Sequence, residues 1–335
     1  MIDQAKSALK TVLRPAANAM TAFQPRILMY HRFSAGPESR AVAADLLHRQ
    51  IELLKKKFTL LTMRDLVRRS LSAGEPGRHF AAITVDDGYE DFYSHAFPVL
   101  REHGVPATIF VVGGFVSREL WLWPDVLRAV IAAAEPGRYG LRGFWRDESV
   151  AWRNSGEREE AWSALADRLL TESTETRYDA IQSLAESVDV DVESLDMREY
   201  TALSWDQLRE LRDAGIEIGD HTWSHCNVAR QSKAALTREL NRSRKAIEEH
   251  VGCTVSGLAY PNGMPADYSA EAAQTVAELG YEYAVVAHPR RFRTDSVYSI
   301  GRLDGAREMR RFRNAIAGFR LLRFGSRDEY RPGKT

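Results

Sequence analysis

The sequence predicts an α/β protein in which repeated β-α units surround a parallel sheet, interrupted by one helical, tryptophan-rich insertion. Three observations carry that expectation. Short β-rich runs alternate with amphipathic helical stretches, the pattern of β-α repeats. Several helical stretches stop at a glycine, Gly104, Gly215, Gly252 or Gly280, as helix ends do. From about Ser117 to Tyr200 the alternation fails, and that charged, helix-prone stretch carries five of the seven tryptophans.

Taken in order, residues 1–25 read as a helical extension. Met1 to Ala22 spreads Lys6, Lys10 and Arg14 among apolar residues and lacks the continuous apolar run of a secretory signal. Strands are expected over Arg26 to Tyr30, Ala81 to Val85, Ala107 to Val112, Ile216 to Gly219, Gly257 to Tyr260, Tyr283 to Val286 and Val297 to Ile300. Helices are expected over Ala44 to Lys57, Asp91 to His103, Trp205 to Ala214, Lys233 to Val251 and Ala270 to Leu279. These elements make a main domain over residues 26–305. Residues 117–200 are the insertion, with no convincing strand. Its tryptophans, Trp121, Trp123, Trp145, Trp152 and Trp162, either build a small core or offer their faces to sugar rings. Residues 306–335 form a basic amphipathic tail. Gly301 to Thr335 holds ten Arg/Lys against four Asp/Glu, a net +6 that leaves −6 on the rest. Phe312, Ile316, Phe319 and Arg323 share helical spacing, so this tail either packs on the domain or lies on an acidic membrane or glycolipid surface.

Composition narrows the class. Hydrophobic residues at 44% and charged residues at 27% exclude a disordered or coiled-coil chain. Lys+Arg and Asp+Glu are both 46, so no overall field argues for nucleic acid. Two cysteines, Cys226 and Cys253, make neither a disulfide framework nor a zinc ribbon. No window offers roughly 18 uninterrupted apolar residues for a spanning helix. A cytoplasmic protein, at most peripheral to a membrane, is expected.

Three loops at predicted strand ends carry chemistry. Val85-Asp86-Asp87-Gly88 sets two adjacent carboxylates after an apolar strand, and Gly88 lets the chain turn sharply. Crowding two carboxylates calls for a cation or a shared proton, although a solvated turn reads the same way. Gly219-Asp220-His221-Thr222-Trp223-Ser224-His225 puts two imidazoles four positions apart, able to converge on one metal ion. One aspartate with two histidines leaves positions open for water, which marks a catalytic rather than a structural site. Ala259-Tyr260-Pro261-Asn262-Gly263 is a tight loop that can aim a backbone N–H into the mouth, the donor a tetrahedral oxyanion needs. Trp223, inside the histidine loop, is the aromatic best placed to wall a pocket. Tyr260, Pro261, Trp121 and Trp123 complete the expected substrate contacts.

Together and in this order, the three loops resemble the polysaccharide deacetylase family, also called the NodB-homology or carbohydrate esterase family 4 domain. "ITVDDGYEDF" resembles its TFDDG segment, "LRDAGIEIGDHTWSH" its HxxxH segment, and "LAYPNG" the third motif of exopolysaccharide-type members. "ILMYHRF" near the start and "WLW" after the third strand are similar to that branch as well. The resemblance spans about Arg26 to Asp304, apart from the insertion. It implies a distorted (β/α) barrel of NodB-homology type and a divalent metal, most often zinc, sometimes cobalt or nickel. It further implies hydrolysis of an N-acetyl group on an amino sugar of a polysaccharide, an oligosaccharide or a lipid-linked glycan precursor.

Carried over residue by residue, Asp87, His221 and His225 would be the metal ligands, Asp86 the general base and the backbone N–H of Asn262 the oxyanion donor. The metal would polarise the acetyl carbonyl and bring the pKa of bound water to roughly 7. Two family parts are missing. The late Leu-x-His motif that supplies the general acid has no counterpart in "SIGRLDG", and Ala259 stands where an arginine opens the third motif. His31, at the end of the first strand, is the expected substitute acid; His288, a metal-bound water and Asp86 itself are the alternatives. Arg302, near the end of the last strand, is the expected partner that keeps Asp86 ionised. The same site would serve a non-sugar amide or an O-acetyl ester. Loss of the acid would leave a barrel that binds glycans without cutting them.

Overall fold

A computed structural model describes residues 2–323, apart from 38, 39, 74–78, 146, 147, 294 and 296. Its apolar, β-branched runs form eight strands of one parallel sheet: β1 (Arg26–Tyr30), β2 (Phe80–Val85), β3 (Thr108–Val111), β4 (Glu217–Asp220), β5 (Gly257–Ala259), β6 (Tyr283–Val286), β7 (Ile300–Gly301) and β8 (Leu303–Asp304). Their order is β7-β6-β5-β4-β3-β2-β1-β8, and a two-residue strand, Thr59–Leu60, pairs with β2 beside that path. β7 and β8 stand at opposite ends of the order, yet only Arg302 separates them in the chain. Ile300 pairs with Val285 of β6, while Leu303 pairs with Leu28 of β1. Residues 300–304 thus draw the two sheet edges together into a nearly closed, distorted barrel.

This differs from the expected last strand, Val297 to Ile300. Val297 still accepts a hydrogen bond from the Ala284 amide at 2.9 Å, but the ladder lies further on, because the closing segment must reach both edges. Phe110, Tyr283, Val285 and Ile27 fill the barrel interior.

Around the barrel run α1 (Ile2–Met20), α2 (Ala44–Lys55), α3 (Met63–Ala73), a π turn over Phe92–Ala96 leading into α4 (Phe97–His103), and the short α5 (Gly113–Val116). The insertion supplies α6 (Trp123–Ala133), α7 (Ser155–Leu169) and α8 (Thr174–Ser187). α9 (Trp205–Asp213), α10 (Lys233–Val251) and α11 (Ala270–Glu278) return to the barrel, followed by α12 (Met309–Ile316) and α13 (Phe319–Arg323). Met63 and Leu66 of α3 add to the packing inside the barrel. Ser204 and Gln207 form a reciprocal capping box at the start of α9, and Gly252 ends α10 with φ 71°.

The insertion has a core of its own, built on Trp123, Trp145 and Trp152 with Leu169, Ile181 and Leu184. It also contains strands, against expectation. Gly137–Gly140 and Ser149–Trp152 pair antiparallel, with Tyr139 and Trp152 in ring contact at 5.2 Å. Each strand is four residues long, too short for an alternating pattern to stand out from its charged surroundings. The C-terminal helices pack on the domain, burying Phe312 and Ile316. The remainder of the expected tail, residues 324–335, lies outside the described residues.

Candidate active site

The sheet register brings Tyr30, Val85, Val111, Asp220 and Ala259 to one end of the barrel. The residues that follow them, including His31, Asp86, Asp87, His221 and Tyr260, therefore rim a single mouth, where parallel barrels place their chemistry. Backbone strain concentrates there. Eight described non-glycine residues have left-handed φ, and four of them lie in the three loops: Asp87 (75°), Thr222 (67°), His225 (52°) and Asn262 (59°). Gly88 turns at φ 94°, and a Cβ there would sit 3.0 Å from the Val111 side chain.

Asp87 Oδ1 lies 3.5 Å from His221 Nε2 and 3.5 Å from His225 Nε2. The three side chains are buried, each with a potential ligand atom within 4.8 Å of the others, the one such cluster among the described residues. His221 Nδ1 is 2.7 Å from the Ala259 carbonyl, which can only accept, so Nδ1 carries a proton and Nε2 faces Asp87. Burial, then His221, push His225 down to about 3, so its imidazole is neutral. Its Nδ1 is buried without a hydrogen-bond partner. Burial favours a protonated Asp87, but the His221 hydrogen bond and the neighbouring imidazoles outweigh it and hold the carboxyl well below its usual range. Burial likewise disfavours charge on His221, yet Asp87 and Asp86 raise it above its ordinary value. Two nitrogens and a carboxylate oxygen, crowded and partly unsatisfied, fit a divalent cation of the zinc, cobalt or nickel type.

Asp86 points to a different partner. Arg302 is wholly buried and grips it with two hydrogen bonds, Nη1 to Oδ1 at 2.6 Å and Nη2 to Oδ2 at 2.7 Å. Burial would raise Asp86; the Arg302 charge, with His221 and His31, outweighs burial and keeps it ionised. Arg302 can reach because it sits between β7 and β8, at the closing point of the barrel. His31 Nε2 is 3.9 Å from Asp86 Oδ2, and its ring is 46% exposed, open to a ligand in the mouth. His288 instead faces the Tyr268 hydroxyl at 3.1 Å. The Asn262 side-chain Nδ2 is buried with no hydrogen-bond partner.

Four expected substrate contacts are placed otherwise. Trp123 is 2% exposed in the insertion core, beneath the Arg177 guanidinium. Trp223 is packed against Gly113 and Gly114 with Arg242 over its ring, so it braces the histidine loop rather than walling a pocket. Tyr260 is buried, stacked on Tyr268, and its hydroxyl donates to the Tyr298 carbonyl. Pro261 is buried too. Bulk drives the three aromatic residues inward: each apolar surface finds a packing partner before it finds solvent. Trp121 is 41% exposed and lines a groove.

Sequence reasoning missed the supports. Asp220 accepts from the Thr222 amide, Ser243 Oγ and Tyr281 Oη, which locks the start of the histidine loop. Asp125 of α6 accepts the Tyr89 hydroxyl at 2.6 Å, and burial pushes it up to about 7. Arg32 lies over the Tyr89 ring and holds Asp91, which therefore serves as an ion-pair partner rather than a helix cap. The available signal was Asp125 itself, a carboxylate in the first turn of a helix whose other residues, Arg128 apart, are apolar.

The sequence profile described as polysaccharide deacetylase matches residues 73–142 and 169–284, more than half of the chain. The chain belongs to the polysaccharide deacetylase family. The unmatched gap, residues 143–168, holds the second hairpin strand and most of α7. Over 102 residues, 30% of this chain, it is 34% identical to a Bacillus subtilis (strain 168) protein that carries the name of a polysaccharide deacetylase, YxkH; that match spans 37% of the relative's length. Two solved structures share the barrel. The deacetylase PplD of Streptococcus pyogenes, in complex with acetate, superposes with a TM-score of 0.56 at 18% identity, covering 85% of this chain and 94% of that one. IcaB from Ammonifex degensii superposes at 0.56 and 17%, covering 88% and 97%. At such identities these two likenesses speak for the polysaccharide deacetylase barrel alone.

Proposed function

We propose that this chain hydrolyses the N-acetyl group of an amino sugar in a polysaccharide, an oligosaccharide or a lipid-linked glycan precursor. The observation that carries this reading is Asp86, a buried carboxylate kept ionised by Arg302 one residue from a carboxylate and two imidazoles arranged as cation ligands. Asp87, His221 and His225 would hold the cation, and zinc is our assignment. When bound, it supplies positive charge for the acyl oxygen and makes water a stronger acid. Asp86 takes a proton from the attacking water as its oxygen bonds to the acyl carbon. The Asn262 backbone N–H donates to the oxyanion that forms. The carbon–nitrogen bond then breaks, acetate leaves, and His31 gives a proton to the amine nitrogen.

The same reading gives the insertion a task. A groove of about 750 Å³, lined by Leu120, Trp121, Tyr178, Leu195, Met197 and Arg198, lies beside the mouth. Thr201 on its edge accepts from the Glu90 amide, and the Leu203 amide donates to Gly88, so this wall is stitched to the turn after Asp87. We assign the groove to sugars neighbouring the one that reacts, with a ring face on Trp121.

Elemental analysis of the purified chain, run with acetate release from N-acetylated oligosaccharides, tests the proposal. About one metal per chain is expected, lost with acetate release in both Asp87→Ala and His221→Ala. Acetate from acetyl esters alone would replace the amide by ester chemistry. No metal after incubation with zinc or cobalt would overturn the catalytic reading.

A further inference from the structure

We infer that α1 and the arginine-rich C-terminal helices form one docking surface that seats the chain on an anionic lipid bilayer. An amphipathic helix of a water-soluble domain normally turns its large apolar residues to the core. α1 does the reverse. It attaches through small and polar residues: Ala17 and Thr21 are buried, Thr21 Oγ1 meets the Ala317 carbonyl, and Arg14 Nε donates to Asn314 at 2.9 Å. Its large residues from Leu9 onward point out. Leu9 is 59% exposed, Val12 75%, Leu13 44% and Met20 71%, with Phe23, just past the helix, at 50%. These five are the majority of the large exposed hydrophobics among the described residues. Spacings of three, four and seven place them in one stripe along α1.

Cations flank that stripe. Lys10 is exposed on α1, and α12 and α13 beside it expose Arg310, Arg311, Arg313 and Arg320. Glu308 lies 3.9 Å from Arg310 and 3.8 Å from Arg311, and Arg313 and Arg320 add positive charge beside that ion pair. An apolar stripe edged by arginines has the make-up of a helix that lies in a headgroup layer. A second copy is the poorer occupant: pairing two such surfaces would set arginines against arginines, whereas anionic headgroups neutralise them. Arg14 and Pro15 share a recess with Leu53 and Lys57 at the C-terminal end of α2, and α1 enters the N-terminal end of β1. The surface therefore lies toward the end of the barrel opposite the mouth, leaving the site open to the aqueous side.

Sedimentation of the full chain with phosphatidylglycerol/phosphatidylcholine vesicles, against vesicles of phosphatidylcholine alone, tests the inference. Binding to the anionic vesicles should be at least ~10-fold tighter and should weaken in high salt. Val12→Asp with Met20→Asp, and separately Arg310→Glu with Arg313→Glu, should each lower it by ~10-fold or more. The melting temperature should stay unchanged, because all four side chains face solvent. Failure of the native chain to sediment with anionic vesicles would overturn the inference. So would equal binding by Val12→Asp/Met20→Asp, or a dimer that this pair of changes dissolves in the absence of any vesicle binding.

Discussion

Asp86 and Arg302 are a buried ion pair, and their worth is clearest when one partner goes. Arg302→Met would leave a desolvated carboxylate without its counter-charge, a loss of about 3–5 kcal/mol. The folded value of Asp86 lies below the unfolded one, so its contribution is present above about pH 4 and fades as pH falls through the folded value. At neutral pH the cost is fully expressed. Asp86→Asn together with Arg302→Met should recover part of it, read by urea unfolding; a double-variant loss equal to the sum of the two single losses would show that the pair is not coupled. His31 is the complementary case, exposed and close to Asp86. His31→Gln should cut kcat for acetate release by ~10²-fold or more with bound metal retained, whereas loss of metal would make His31 part of the cation site. Both residues are legible as expectations from their places beside strand ends. Their geometry is not, since Arg302 meets Asp86 across 216 positions of chain.

At the scale of elements, the closing segment decides whether that geometry exists. Residues 300–304 pair with β6 on one side and β1 on the other. Gly301 lets Arg290 approach: a Cβ there would stand 2.2 Å from the Arg290 amide nitrogen. Gly301→Ala should thus displace the segment, lower stability by about 1–3 kcal/mol and reduce acetate release through Arg302. Gly36, with nothing within 4 Å of its Cβ position, is the control, and Gly36→Ala should be silent in both measurements. A Gly301→Ala protein with native stability and activity would show that the closure is loose. The sequence places a strand here at Val297 to Ile300, because β propensity reports a local apolar run and carries no record of which edges that run must bridge.

For the whole molecule, the insertion is tied to the barrel through buried polar contacts. Asp125 binds Tyr89, Arg32 covers that ring, and Arg177 reaches from α8 to the His225 carbonyl. Burial raises Asp125 to about 7, above its unfolded value, so the stability linked to it is present at low pH and lost as pH rises through about 7. Relative to the native chain, Asp125→Asn should therefore gain stability between about pH 4 and pH 7, on the order of 4 kcal/mol. A difference that stays constant with pH would mean that Asp125 titrates normally. At this scale the sequence showed least. The Trp-rich composition of the insertion was plain, but which tryptophans form its core and which one is exposed was not.

The sequence by itself determined the order of strands and helices along most of the barrel and the three loops that carry the chemistry. An apolar run, its polar or glycine end and the residues just beyond lie within about ten positions, so local physics specifies them. Only the tertiary structure decided the rest. Trp123, Trp223 and Tyr260 turned inward, Trp121 stayed open, Asp125 found Tyr89, and Arg302 found Asp86. Each of those outcomes depends on a partner tens to hundreds of residues away, and burial and ion pairing act on distance in space rather than on position in the chain.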